Sequence, residues 1–418
     1  MRILFKNAKI LTMENDKIFD GELFVENNVI KYVGEDALEN VEADRIIDCK
    51  HNLLMPGFKN AHTHSPMTFL RSYADDMPLD EWLNKKIFPN EALLTDEQIY
   101  WNNKLAILEY LESGITANFD MYISPDVVVE SSLESGFRTI QAGSLNNFTL
   151  SLDKMEECYK KYNSNELTGY RLGVHAEYTT GRELLEGVAD MANRYKAPVY
   201  LHAHETKREV EECKSRYGCT PTVLLDKMGM YNYGGGGFHC VHMTQEDIDI
   251  YRERHLNVIT CPCSNAKLAS GIAPLKKFLG EGINVAMGTD GPASNNALDV
   301  FREMYLAAVL AKLREGEATA VKAYDVLKMA TVGGAYAMGI YDCDVLAVGK
   351  KADIIMIKLD EPNMQPLNDI ISNLVYSASK INVGMTMVSG KILYYEGKFH
   401  IDKEKEEIYE RCKFNKYA

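Results

Sequence analysis

Met55-Pro-Gly-Phe-Lys-Asn-Ala-His-Thr-His64 places two imidazoles two residues apart, at the end of an apolar run that reads as a strand. Residues i and i+2 of a strand share one face. If that face lines the mouth of a barrel, His62 and His64 converge on one point, where a shared metal ion is the natural partner of both. Taken alone, the pair reads equally well as two polar residues in a loop. The decision therefore rests on what the remainder of the chain brings to the same place.

Downstream of His64, strand-like runs of about six residues alternate with helical runs of about ten to twenty, the rhythm of βα units. The runs are Ile115 to Tyr122, Phe137 to Gly143, Tyr170 to Ala176, Ala197 to Ala203, Gly236 to His242, Asn257 to Cys263 and Asn284 to Asp290. With the His62 strand they make eight. The helices between and after them include Asp96 to Ser113, Gly181 to Tyr195, Gln245 to Arg254, Pro274 to Gly280 and Leu298 to Lys312. Eight such repeats predict a closed (β/α)₈ TIM barrel, class α/β; a doubly wound sheet has fewer strands and a Gly-rich phosphate turn, which does not follow the first strand here. The glycines at 234 to 237 precede a strand and open no helix, so they read as a flexible approach to strand 6.

The ends of the chain have another character. Residues 2 to 50 and three runs near the C-terminus (352 to 358, 384 to 388 and 391 to 395) alternate with period two and are broken by turns. Neither piece is large enough for its own core, so together they should complete one small β-sandwich. The expected organisation is residues 1–55 and 345–400 in the sandwich, 56–344 in the barrel, and a charged helical tail over 401–418.

Composition narrows the partner. The 46 basic and 60 acidic residues leave a formal charge of −14, which argues against nucleic acid or an anionic membrane surface. Nine cysteines are spread without the density of a disulfide framework, and Cys261 and Cys263 read as packing in the seventh strand. No apolar core of signal-peptide length and no run of about 18 apolar residues is present, so a cytoplasmic protein acting on a small molecule is expected.

In a barrel, functional residues gather at the C-terminal ends of the strands. Strand 1 ends in His62 and His64, strand 4 in His175, strand 5 in His202 with Glu205 beyond it, strand 6 in His239 and strand 8 in Asp290. His62, His64, His202 and Asp290 supply the three or four N/O ligands that a mononuclear site needs while leaving a position for water. Glu205, three residues past a ligand, stands where a general base reaches that water, and His239 where it can hydrogen-bond the water or a developing oxyanion. A second metal would need a bridging ligand such as a carboxylated lysine at strand 4. Tyr170 to Thr180 holds no lysine, so one divalent metal is expected. His204 is expected to point away from the site and His242 to lie past the strand end, while His51, His255 and His400 have no assigned role.

Pro56-Gly-Phe-Lys-Asn-Ala-His-Thr-His64, His202-Ala-His-Glu205-Thr, His239-Cys-Val-His-Met, Cys261-Pro-Cys-Ser-Asn-Ala-Lys-Leu-Ala-Ser-Gly271 and Gly288-Thr-Asp-Gly-Pro-Ala-Ser-Asn-Asn296 resemble the amidohydrolase superfamily, and within it the 5′-methylthioadenosine/S-adenosylhomocysteine deaminases. The resemblance implies hydrolytic deamination of a 6-aminopurine nucleoside, with Asp290 also moving protons and with a single ion, usually zinc and alternatively iron, on the four ligands. It further implies that Glu91 accepts the ribose hydroxyls, that His175 and Ser294 contact the purine, and that the protein is a homo-oligomer. Arginines that hold an amino-acid carboxylate in this family have no counterpart at Gly143 or at residues 149–152; Arg182 or a neighbouring subunit is the remaining source. The alternatives are an aminohydrolase or chlorohydrolase acting on a guanine, pterin or triazine ring, for which a ribose-binding Glu91 has no use, and a non-enzymatic assembly protein, which would not need all four metal ligands.

Overall fold

The computed structural model describes residues 1–39 and 41–413. Eight parallel strands form one sheet in chain order: Phe58–Thr63, Ile115–Asp120, Arg138–Ala142, Thr168–Ala176, Val199–Ala203, Gly235–His239, Asn257–Thr260 and Val285–Met287. The last strand returns to the first through Asp290 N–H on the His62 carbonyl (2.9 Å) and through Asn60, whose side chain pairs with the Thr289 amide and hydroxyl at 2.8 Å each. Inside, Phe119, Ile140, Tyr200, Phe238 and Ile259 fill the barrel, so its lower part is packed core and only the upper mouth can hold a ligand.

Local sequence explains where elements begin and stop. Thr95 and Gln98 form a reciprocal capping box for Asp96–Glu112, the helix behind strands 1 and 2, a device worth about 1 kcal/mol. Two readings of strand ends are corrected. The seventh strand stops at Thr260, because Pro262 has no N–H for a ladder and instead opens the helix Pro262–Lys267; Cys261 and Cys263 are buried as expected but lie at and inside that helix. Gly235, Gly236 and Gly237 open the sixth strand, Gly235–His239, instead of forming a flexible approach to it, so the expected run of 236 to 242 begins one residue earlier and ends three earlier. A Cβ on Gly236 would sit 2.3 Å from the Asn257 carbonyl oxygen, so only glycine permits this spacing between strands 6 and 7.

The terminal segments form a single nine-stranded sheet. Leu53–Pro56 from the N-terminal side pairs antiparallel with Ile354–Ile357 from the C-terminal side, which joins the two pieces through backbone hydrogen bonds. One face encloses its own apolar core, including Ile3, Phe5, Ile10, Val25, Ile354 and Met385, while Leu53, Met55, Ile355 and Ile357 on the other face belong to the barrel core. The first strand of this sheet, Arg2–Leu11, carries an irregularity where Asn7 adopts a φ of 51°. Arg45–Asp48 is a further strand with no clear alternation in the sequence.

Near the C-terminus, Lys405–Arg411 is helical and buries Ile408 against Leu108 of the Asp96–Glu112 helix. The part of the expected tail at residues 414–418 lies outside the described residues. No helix among the described residues is long and apolar enough to cross a membrane.

Candidate active site

At the C-terminal mouth of the barrel, imidazoles from three strands meet. The rings of His62 and His202 lie 4.9 Å apart, those of His64 and His202 5.4 Å, and those of His202 and His239 5.4 Å. Phe238 stacks flat on His62 at 3.9 Å and fixes its plane from below. The Nδ1 atoms of His64 and His202 each lie 2.6 Å from a backbone carbonyl oxygen, of Met121 and His175 respectively. A carbonyl can only accept, so Nδ1 carries the proton and Nε2 presents its lone pair to the centre.

Asp290 reaches the same point. It sits three residues beyond the end of the eighth strand, with a left-handed φ of 60°, and so is aimed by a turn instead of by strand alternation. Its Oδ2 accepts the hydroxyls of Ser264 (2.6 Å) and Ser294 (2.9 Å), while Oδ1 lies 3.6 Å from His62 Nε2 and 3.4 Å from His64 Nε2.

These residues fit a metal ion. Both ring nitrogens of His62 are buried with no hydrogen-bond partner, a costly condition for a polar atom unless something binds it. The donor atoms of His62, His64 and Asp290 lie within 4.8 Å of one another, as do those of His62, His202 and His239. Burial and the neighbouring imidazoles hold His62 and His202 well below the usual histidine range, which keeps them neutral as metal ligands must be. His239, expected only as a catalytic partner, therefore also has a ring nitrogen within reach of the ligand cluster.

Around this centre stand the other candidates. Glu205 Oε2 is 3.9 Å from His239 Nε2, and burial raises the Glu205 pKa above the ordinary carboxylate range. Burial lowers the His239 pKa, but Glu205 and Asp290 more than offset it, and Asn265 Oδ1 holds its Nδ1 at 2.8 Å. His175 lies beside His202, with its Nδ1 3.0 Å from Thr179 Oγ1. Glu91, on the short helix Phe88–Glu91, is buried in the cavity wall near Tyr122; burial pushes its carboxyl up to about 7, against the Tyr122 hydroxyl. The cavity is also lined by Leu79, Trp82, Leu83 and Phe88. It holds His175 and Ser294, but Ser294 spends its hydroxyl on Asp290.

No lysine or arginine among the described residues lines this cavity. A side chain at Gly143 is sterically impossible, since its Cβ would lie 2.8 Å from the backbone of Gly173. Arg182 is exposed and paired with Glu186 at 2.7 Å, outside the lining.

His204 and His242 lie off the centre, on Thr222 Oγ1 (2.8 Å) and the Ser270 carbonyl (2.7 Å). Residue i+2 from His202 would share its face on a regular strand; a left-handed φ of 55° at His204 removes it. Three contributors were not assigned from the sequence: Ser264 and Asn265, adjacent in Cys261-Pro-Cys-Ser-Asn265, and Glu209 behind Glu205. The first two lie in a motif already conspicuous, and the spacing Thr206-x-x-Glu209 is a capping-box signal.

A (β/α)₈ barrel with a His-x-His pair on its first strand and a carboxylate after its eighth defines the class of metal-dependent hydrolases. The chain belongs to the amidohydrolase family, whose pattern it matches over residues 53–393. It is 41% identical over 404 residues to the 5-methylthioadenosine/S-adenosylhomocysteine deaminase of Caldanaerobacter subterraneus subsp. tengcongensis, covering 94% of this chain and 93% of that one. The protein of the same name from Pyrococcus furiosus is 38% identical over 406 residues, covering 95% and 96%. Among solved structures, an adenosine deaminase from Xanthomonas campestris with bound zinc superposes with a TM-score of 0.93 at 32% identity, covering 99% of this chain and 97% of that one.

Proposed function

We propose that this chain hydrolytically deaminates a 6-aminopurine nucleoside, giving the 6-oxo nucleoside and ammonia. The observation that carries the reading is a pair of donor clusters at the barrel mouth, His62 with His64 and Asp290 and His62 with His202 and His239, with Glu205 beside them and Glu91 in the wall of the same cavity. Relatives about 40% identical over nearly the whole chain, named for this activity, support it.

His62, His64, His202 and Asp290 would hold one divalent ion, zinc by analogy with the Xanthomonas protein or alternatively iron. When bound, such an ion makes a water molecule acidic enough to lose a proton near neutral pH, from a pKa of about 15.7 towards about 7. Glu205 takes that proton and delivers it to the ring nitrogen beside the carbon under attack. Its burial favours this exchange by bringing its pKa nearer to neutrality. His239, oriented by Asn265, steadies the attacking oxygen, and Asp290 takes the remaining proton of the attacking water and passes it to the departing amine. Water adds across the C–N bond and ammonia leaves, so the reaction consumes one water and needs no redox partner. All nine cysteines are free, which supports a reducing cytoplasmic setting.

Purified protein is expected to carry close to one divalent ion per chain, and His62→Ala or His202→Ala to bring that value near zero. Elemental analysis checks it. Two ions per chain at full occupancy would overturn the mononuclear assignment.

Substrate preference follows from the wall of the cavity. A carboxylate placed for a sugar diol is left partly unpaired by a 2′-deoxy sugar or a free base, at about 1–3 kcal/mol, or roughly ten- to a hundredfold in kcat/KM. A cavity lined by no lysine or arginine among the described residues offers no permanent cation to an amino-acid carboxylate. Ammonia release from a nucleoside panel should therefore rank 5′-methylthioadenosine, 5′-deoxyadenosine or adenosine at or above S-adenosylhomocysteine. Glu91→Ala should narrow the gap between ribo- and 2′-deoxyribonucleosides. A clear preference for S-adenosylhomocysteine would defeat the argument from the missing lysine and arginine, and strong activity on free adenine or guanine the role of Glu91.

A further inference from the structure

After His202 the chain leaves the strand abruptly. The left-handed φ of 55° at His204 is a strained conformation for a residue with a side chain and persists only where its surroundings over-determine it. Two sets of hydrogen bonds do so. The His204 carbonyl accepts the amides of Val241 (3.0 Å) and His242 (2.9 Å) from the end of the sixth strand. On the other side of the same peptide units, Glu209 Oε1 accepts the His204 amide and Oε2 the Glu205 amide, both at 2.9 Å.

Glu209 stands in the first turn of the helix Lys207–Tyr217, whose cap Thr206 accepts the Glu209 amide on its hydroxyl at 3.1 Å. In an ordinary capping box the acidic side chain turns back to the amide of the cap itself. Here it reaches one and two residues further, to the backbone of the turn that carries Glu205. The carboxylate is buried, with 4% of the residue exposed, and each oxygen takes one amide of that turn.

We infer that Glu209 is a positioning residue for Glu205: by holding the amides of residues 204 and 205 it fixes the turn that sets the Glu205 carboxylate against the water and the purine. The inference rests on the catalytic role proposed above for Glu205. The chemistry requires two acceptors. Glutamine offers one oxygen and turns an NH₂ group against the other amide, while aspartate keeps both oxygens on a shorter stem.

The test is steady-state kinetics of the metal-loaded enzyme on the best nucleoside of the panel. Glu209→Gln is expected to lower kcat about ten- to a hundredfold while KM stays within about threefold and the metal content is unchanged, because a displacement of about 1 Å in a reacting group has consequences of this size. Glu209→Asp should recover part of the loss. In a Glu205→Gln background the Glu209→Gln change should alter the residual rate by less than about threefold, since there is no longer a base to position. The inference is overturned by a Glu209→Gln enzyme with near-normal kcat, by an equal loss in both backgrounds, by a loss confined to KM or metal content, or by a chain that fails to fold. If Glu205→Gln itself turns over normally, the role of Glu205 fails; if that variant is inactive and Glu209→Gln is active, only the positioning inference fails.

Discussion

Glu205→Gln is expected to retain its metal ion and to lose at least about a hundredfold in kcat, the usual scale of a general acid–base contribution. Glutamine has the size of glutamate and its amide can still accept from the Ser270 hydroxyl, which lies 3.5 Å from Glu205 Oε1. It cannot take a proton from water and return it to a ring nitrogen. Its side chain is not among the donors clustered for a metal, so binding of the ion should survive. Comparing kcat at matched, measured metal content separates loss of the base from loss of the ion. Near-normal turnover in a metal-replete Glu205→Gln protein would move the base elsewhere, with His239, 3.9 Å away, the first candidate.

Asp353→Ala is expected to cost about 3–5 kcal/mol of stability, the range for removing one partner of a buried ion pair. Asp353 lies where the terminal sheet meets the closed end of the barrel. It accepts from Arg138 Nε (3.1 Å) and Nη2 (3.0 Å) and from the Ser389 amide (2.8 Å), with Lys59 Nζ at 3.6 Å. All three charged residues are at most 1% exposed. Removing the carboxylate leaves two cations buried without their counter-charge. The shift in urea-induced unfolding measures this; a change below about 1 kcal/mol would mean that water enters the junction and solvates them. Burial raises the Asp353 pKa, but Arg138 and Lys59 more than offset it and hold the carboxyl below its usual range. A depressed folded pKa gives stability that is present above the unfolded value of about 3.9 and is lost as pH falls through the folded one. The Asp353→Ala deficit should therefore be constant near neutrality and shrink only in acid below about pH 4.

Much of this molecule was legible in the chain because its signals are local. The barrel follows from eight short apolar runs alternating with helical ones, and a period of two or 3.6 needs no tertiary information. The terminal sheet was recognisable for the same reason, as two alternating pieces each too small for a core. His62, His64, His202, Glu205, His239 and Asp290 could be proposed together because strand ends are sequence features and a barrel brings all strand ends to one mouth.

What the chain could not disclose depends on contacts between residues distant in sequence. That Ser264 and Asn265 reach Asp290 and His239, and that Arg138 and Lys59 share Asp353, follows only once the barrel closes. Residues 235 and 236 of the sixth strand have to be glycines because the backbones of Val199 and Asn257 on the flanking strands leave no room for a side chain, a fact about those neighbours and not about the glycines. For His204 and Glu205 the outcome is the expected one, but its cause is again tertiary. Alternation along an ideal strand would set His204 beside His202, yet a left-handed turn, held by Glu209 from one side and by the end of the sixth strand from the other, takes His204 away and leaves Glu205 facing the site. Periodicity determined which residues arrive at the barrel mouth; backbone conformation at a few strained positions, stabilised by buried polar partners, decided which of them face it.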